Sequence, residues 1–276
     1  GNLFALPIYA LAWRAGRVGG SAKLKIPPHW SPAGLVGTLQ AVAPEIASPL
    51  LKSLLWAGVG ASLTVLLAWP LAWATRRAGP WRWVVAAAVA LILATPGPLA
   101  GMALVLAYRD LPVIYDTPAI LTFAYAMRTL PYALLVLWPA LRTLPDAQLD
   151  AAAMDGHGLW GQIRTVALPM TLVPLAAAWG VSFVLALGEL PAALVVEPPS
   201  LTPLLTVRVW SLLHTGVESH LAGVGLVLLG VVGAAGLAAA GIIGWFIRVR
   251  STEVGLRKIW SPRANSNRVD RMDRRP

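Results

Sequence analysis

Residues 150–169 read DAAAMDGHGLWGQIRTVALP, a polar, glycine-broken interval between two long apolar runs. The stretch 149–155 is rich in Ala, Leu and Met and favours helix. Gly156 suits the left-handed residue that ends a helix. Beyond it Leu159, Trp160, Ile163 and Val166 share one face at near 3.6-residue spacing, which predicts a second short helix. Two short helices about a glycine make a rigid knob between the runs.

The composition says what surrounds that knob. The 276 residues are 57% hydrophobic and 12% charged, with a mean hydropathy of +0.68. A soluble domain carries about 25% charged residues, so this chain has too few to cover a water-facing surface, and lipid is the expected solvent. Cysteine is absent, which excludes a disulfide framework, a thiolate metal site and a cysteine nucleophile. The net charge of +10 would fit nucleic acid, but its location argues otherwise. From Arg248 to the end stand nine Lys/Arg and three Asp/Glu, a basic tail directly after an apolar run. That is the pattern of the positive-inside rule, and no nucleic-acid partner is expected.

A membrane helix needs about 20 mostly apolar residues. Five full spans are expected, at 51–75, 83–107, 117–141, 170–196 and 221–247. Residues 1–13 are apolar but cover about half a span. Without an initiator Met or a basic n-region before them, the expectation is a partial helix whose beginning is missing. The chain is then a fragment or the second half of a larger protein. Residues 14–50 hold Pro27, Pro28, Pro32, Pro44 and Pro49 and are expected outside the membrane, with a short amphipathic helix near 35–46. With the tail inside, inside loops hold fourteen Lys/Arg and outside loops six, and the knob falls inside.

The knob resembles the cytoplasmic coupling loop of ABC-importer permeases, whose pattern is Glu-Ala-Ala, three residues, Gly, nine residues, Ile-x-Leu-Pro. Asp150, Ala151 and Ala152 fill the first places, Gly156 follows at the required spacing, and Val166, Leu168 and Pro169 close it. Asp stands for Glu and Val for Ile. A second region, Gly188-Glu189-Leu190-Pro191-Ala192 with Pro198-Pro199, Thr202-Pro203-Leu204 and 207–213, is similar to iron(III)-type permeases. Relatives for thiamine, sulfate and molybdate share its Gly-Glu element. The resemblance implies an all-α polytopic domain at 51–247 with a coupling loop at 145–169, a periplasmic segment at 14–50 and a cytoplasmic tail at 248–276. It implies a bacterial inner-membrane location and import by ATP-driven alternating access. The partners implied are ATP-binding subunits, a periplasmic solute-binding protein and a second permease half or subunit. It implies no cofactor and no catalytic residue on this chain. The coupling residues would be Asp150, Ala151, Ala152, Gly156, Leu159, Trp160, Val166, Leu168 and Pro169. In that role Asp150 would cap or orient the first helix, the alanines would permit close approach, and Pro169 would start the next span. Ferric iron is the expected cargo, with thiamine, sulfate, molybdate or another small solute as alternatives. A membrane scaffold that anchors an ATPase without a solute path is the rival from another class.

Glu189 and Arg128 are ionisable residues within expected spans. Such residues are costly in hydrocarbon and face a partner or a wet path. Their depths in the two spans allow a Glu189–Arg128 pair; the readings are a structural salt bridge or an interfacial Glu on one side and a gate or path-lining pair on the other. His214, Glu218 and His220 cluster in an expected outer loop, where a solvated loop is favoured over a metal site. The glycines between Gly223 and Gly244 suggest close helix packing in the last span. No GxxxxGK[ST], HExxH or GxSxG occurs, so the chain carries no P-loop and none of the usual hydrolase signatures.

Overall fold

The structure is a computed structural model that describes residues 2–19, 29–77, 79–196, 204–215, 218–231 and 233. It is a helical assembly. Helix α1 (Asn2–Ala15) leads to a two-residue antiparallel pair, β1 (Arg17–Val18) with β2 (His29–Trp30). Helix α2 (Pro32–Ala74) follows, then α3 (Pro80–Ala94), α4 (Gly97–Tyr108), α5 (Pro112–Tyr115) and α6 (Ala119–Arg142). Helices α7 (Asp146–Met154) and α8 (Leu159–Gln162) and a wide π turn, Ile163–Ala167, lead into α9 (Leu168–Gly188). Helices α10 (Pro191–Val196), α11 (Leu205–Thr215) and α12 (Glu218–Val231) complete the described residues.

Helix α2 starts where its sequence says a helix should. Ser31 is the N-cap, its hydroxyl accepting the Gly34 N–H at 2.9 Å, and Pro32 stands in the first turn. The helix then runs through Pro44, Pro49 and Pro70. This corrects the reading of 14–50 as irregular with a short helix: from Pro32 the segment is the first part of α2. At 1.5 Å per residue α2 is about 64 Å long, twice a hydrocarbon core, so much of it stands outside any bilayer.

The centre is α6, packed against α2 on one side and α9 on the other. In lipid, helices associate through close packing and hydrogen bonds rather than the hydrophobic effect. The α2 face is built for that, with Ala57, Ala61, Ala68 and Ala72 fully buried. A Cβ at Gly60 would lie 2.7 Å from the Tyr125 Cβ, so only glycine lets that ring sit on α2. Two buried hydroxyls, Thr64 and Thr129, meet at 2.7 Å across α2 and α6. Trp69 Nε1 donates to Thr171 Oγ1 at 3.1 Å across α2 and α9.

Among the described residues three helices are long and apolar enough to span: Pro32–Ala74, Ala119–Arg142 and Leu159–Gly188. The expected span 83–107 is two helices, α3 and α4, bent by 109°. The break lies at Thr95-Pro96-Gly97-Pro98, where Pro96 removes a donor and holds Thr95 extended (ψ 120°). Counted as one span, the pair brings the number to four. The expected span 170–196 also breaks, at Glu189-Leu190 between α9 and α10. Of the expected span 221–247, only the part in α12 and residue 233 is described. The rest, the tail 248–276 and the 197–203 prolines lie outside the described residues.

Candidate functional site

Two constellations stand out, one at each of two breaks in the bundle. The first is the knob. Helix α7 ends in a Schellman motif: the Gly156 N–H donates to the Ala153 carbonyl and the His157 N–H to the Ala152 carbonyl, both at 3.0 Å. Gly156 has φ +86°, in the left-handed region the sequence reading expected. Leu149 and Ala152 are buried, and α7 packs against the π turn and α8. The far side is bare. Met154, Leu159 and Trp160 are 84%, 65% and 75% exposed. Asp150, Ala151, Leu168 and Pro169 are exposed as well, and Val166 is half-buried. One expected role needs correcting. Asp150 is mid-helix in α7 and caps nothing; Asp146 occupies the first turn and pairs with Arg77 at 3.3 Å. Pro169 does stand in the first turn of α9. The second helical stretch is only one α turn and then widens into the π turn, where the Leu168 N–H reaches back to the Ile163 carbonyl. Such wide turns often mark functional positions.

The second constellation joins the two broken spans. Arg128 on α6 donates from Nη1 to the Thr95 carbonyl at 2.8 Å and to the Ile92 carbonyl at 3.4 Å. It thereby caps the C-terminal end of α3, sharing the Ile92 carbonyl with the Thr95 N–H. Its Nε lies 3.5 Å from Glu189 Oε2, an ionic contact without hydrogen-bond geometry, and that buried Nε has no hydrogen-bond partner. Glu189 Oε1 accepts the Ala192 N–H at 3.1 Å, holding the first turn of α10. Both side chains are largely buried, 22% exposed for Arg128 and 14% for Glu189. Helices α4 and α10 lie against each other because α4 offers glycines. A Cβ at Gly97 would sit 2.8 Å from Pro191 Cβ, and one at Gly101 would sit 2.9 Å from Val195 Cβ. The contact of Arg128 with Glu189 was one of the readings that the cost of charge in lipid left open. The capping of α3 was not, although Thr95-Pro96-Gly97-Pro98 is a breaker cluster that signals a freed helix end.

A third ionic group was missed altogether. Glu45 on α2 pairs with Arg208 on α11 and with His220 on α12, the latter at 2.6 Å. It fixes α11 and α12 to the protruding part of α2. Among the described residues no group of three His, Asp or Glu converges on a metal. His214 Nδ1 lies 2.9 Å from the Trp210 carbonyl, and His220 Nε2 lies 2.6 Å from Glu45 Oε2.

Comparison with known proteins agrees with this architecture. Residues 63–248 match the family described as binding-protein-dependent transport system inner membrane component. The chain is similar to the Fe(3+)-transport system permease protein FbpB 2 of Haemophilus influenzae, 29% identical over 180 residues, 64% of this chain and 35% of that protein. It thus spans about a third of that relative's length. A putative ABC transporter permease protein, ORF1 of Streptomyces antibioticus, is 33% identical over 171 residues, 59% of this chain and 71% of its own length. The spermidine/putrescine transport system permease protein PotC of Escherichia coli is 25% identical over 109 residues, 40% of this chain and 41% of its own. The chain belongs to the inner-membrane permease family of binding-protein-dependent ABC importers.

Proposed function

We propose that this chain, with a second permease half or subunit, moves a small solute across the inner membrane by alternating access, and that residues 145–169 are its coupling loop. The observation that carries the reading is the knob: a glycine-terminated α7 with Leu149 and Ala152 buried, and with Met154, Leu159 and Trp160 uncovered. Uncovered Trp and Leu on a rigid turn are what a groove on another protein would take. ATP-binding subunits closing on the knob would pull α6 and α9, which flank it, and so reorient the bundle. The knob and the tail 248–276 would lie in the cytoplasm, and the α2 extension would lie outside, where a solute-binding protein delivers cargo.

Arg128 and Glu189 then serve as a gate. They bridge the elbow of α3 and α4 to the elbow of α9 and α10, the two places where the spans are already broken. Ferric iron is the cargo this reading favours, on the similarity of the Gly188–Ala192 region and of the Haemophilus Fe(3+) permease. The test is transport into proteoliposomes by the complete assembly, with binding protein loaded with Fe(3+), spermidine or thiamine in parallel. Uptake of iron alone supports the cargo. Uptake of another solute keeps the permease reading and replaces the cargo, and a scaffold would take up none.

A further inference from the structure

A furrow runs along the last two turns of α6 and ends at Arg142. It is lined by Leu135, Trp138, Pro139, Arg142 and Thr143 and has a volume of about 340 Å³. Leu135 is 60% exposed, Arg142 and Thr143 are exposed, and Trp138 is half-buried. The floor is fixed: Trp138 Nε1 donates to the Thr75 carbonyl at 3.2 Å, so the indole is held against the end of α2 with its face available as an apolar wall. Two charged residues follow Thr75 in the sequence. These are Arg76, whose guanidinium lies 3.9 Å over the Trp73 ring, and Arg77.

The charges there do not balance. Arg77 is matched by Asp146 at 3.3 Å. Among the described residues Arg76 and Arg142 make no ion pair. Burial first, and then the like charge of Arg77, push the Arg76 guanidinium below the ordinary arginine value, with Asp146 opposing. Arginine remains charged regardless. Trp69, Trp73 and Trp138 cluster at the same level, as aromatic residues do at a headgroup boundary.

We propose that this furrow is a binding site for one anionic phospholipid, its acyl chain lying along Leu135, Trp138 and Pro139 and its phosphate held by Arg142. Charge complementarity selects this occupant: the furrow is apolar where a chain would lie and carries the unmatched guanidinium of Arg142 where a headgroup would sit. Thr143 plays no part in holding the phosphate, because its hydroxyl already donates to the Ala140 carbonyl at 3.0 Å. The site lies at the base of α6, three residues before α7 begins. An occupied furrow would brace the joint through which the knob connects to the bundle.

The test uses the full assembly, purified in mild detergent and then placed in nanodiscs of phosphatidylcholine with a minor fraction of phosphatidylglycerol. Both leaflets then carry the same lipids, so the outcome does not depend on which way the chain is inserted. Native mass spectrometry of the protein released from the discs should show one phosphatidylglycerol per chain retained in preference to phosphatidylcholine. Arg142→Gln should lower that retention about fivefold, the loss expected for one arginine near a headgroup, and Arg142→Lys should keep most of it. Leu135→Trp, which fills the furrow without touching a charge, should also displace the lipid. Equal retention of both lipids, or retention unchanged by Arg142→Gln and Leu135→Trp, means annular lipid only and overturns the proposal. So does efficient crosslinking of Leu135→Cys to a second permease chain, which would make the furrow an interface between chains.

Discussion

Arg128 Nε faces Glu189 Oε2 at 3.5 Å while the same guanidinium donates at 2.8 Å to the Thr95 carbonyl, so one arginine touches both broken spans. The two ends of the contact are not equivalent. Arg128 carries bonds to α3 that do not involve Glu189, and Glu189 carries a bond to α10 that does not involve Arg128. Glu189→Gln keeps an acceptor for the Ala192 N–H but leaves the arginine charge unmatched. Transport should fall severalfold, with the fold intact by circular dichroism. Arg128→Gln loses the charge and weakens the bonds to the α3 carbonyls, at a cost of about 1.5–3 kcal/mol for hydrogen bonds to a charged group. It should lower thermal stability as well as transport. The exchange Glu189→Arg with Arg128→Glu should not restore function, because a carboxylate at 128 would face two carbonyl oxygens. Recovery of transport in the exchanged protein would mean that ion pairing alone matters here.

Close approach of α4 to α10 depends on glycine. Gly101→Ala places a methyl 2.9 Å from Val195 Cβ and 3.1 Å from the Ala192 carbonyl, so backbone must shift. Overpacking of this kind costs about 1–3 kcal/mol. A Cβ at Gly180 on α9 meets nothing within 4 Å, and Gly180→Ala should not destabilise. Melting temperatures of the two variants in detergent decide the matter. Equal temperatures would show that α4 and α10 are not held together.

The hydroxyl pair Thr64 and Thr129 should be worth little despite its burial. Each oxygen also lies 2.8 Å from a carbonyl of its own helix, Gly60 for Thr64 and Tyr125 for Thr129. Two hydroxyl protons must serve three contacts, so one of the three is always unmade. Thr129→Val should therefore cost about 0.6 kcal/mol, near the average for such bonds in lipid. A double-mutant cycle with Thr64→Val measures the coupling, and a value of several kcal/mol would contradict this.

The fold was legible where one signal dominated its segment. Gly156 could only end a helix, and the apolar runs could only be helices in lipid. Charge in those runs needed a partner or a wet path, which made Arg128 with Glu189 one of the readings. Reading failed where two signals competed. The run 83–107 is apolar enough to cross, yet Pro96 and Pro98 break it, and length was given more weight than the breakers. Residues 32–50 show the reverse, since Pro44 and Pro49 suggested an irregular segment while Ser31 and Pro32 started a helix that tolerates both. Asp150 was expected to cap or orient the first helix because of its place in a pattern; a cap is ruled out, since α7 begins four residues earlier. Glu45 was passed over because its partners Arg208 and His220 lie 163 and 175 residues away, a distance no local pattern spans.

The knob should depend on backbone conformation at one residue and on exposed side chains at its tip. Gly156 has nothing within 4 Å of its missing Cβ, so a substitution there acts through φ alone. Valine at +86° costs about 1–2 kcal/mol, whereas asparagine tolerates that region. Trp160, 75% exposed, contributes little to the bundle's own packing, so Trp160→Ala should leave the melting temperature unchanged.

The direct test of the knob as coupling loop is ATP hydrolysis by the reconstituted assembly, with and without solute-loaded binding protein. Wild type and Gly156→Asn should show stimulation. Gly156→Val and Trp160→Ala should insert and fold but lose most of it. Full stimulation in both of the latter variants would contradict the assignment of residues 145–169 as the contact through which ATP drives transport.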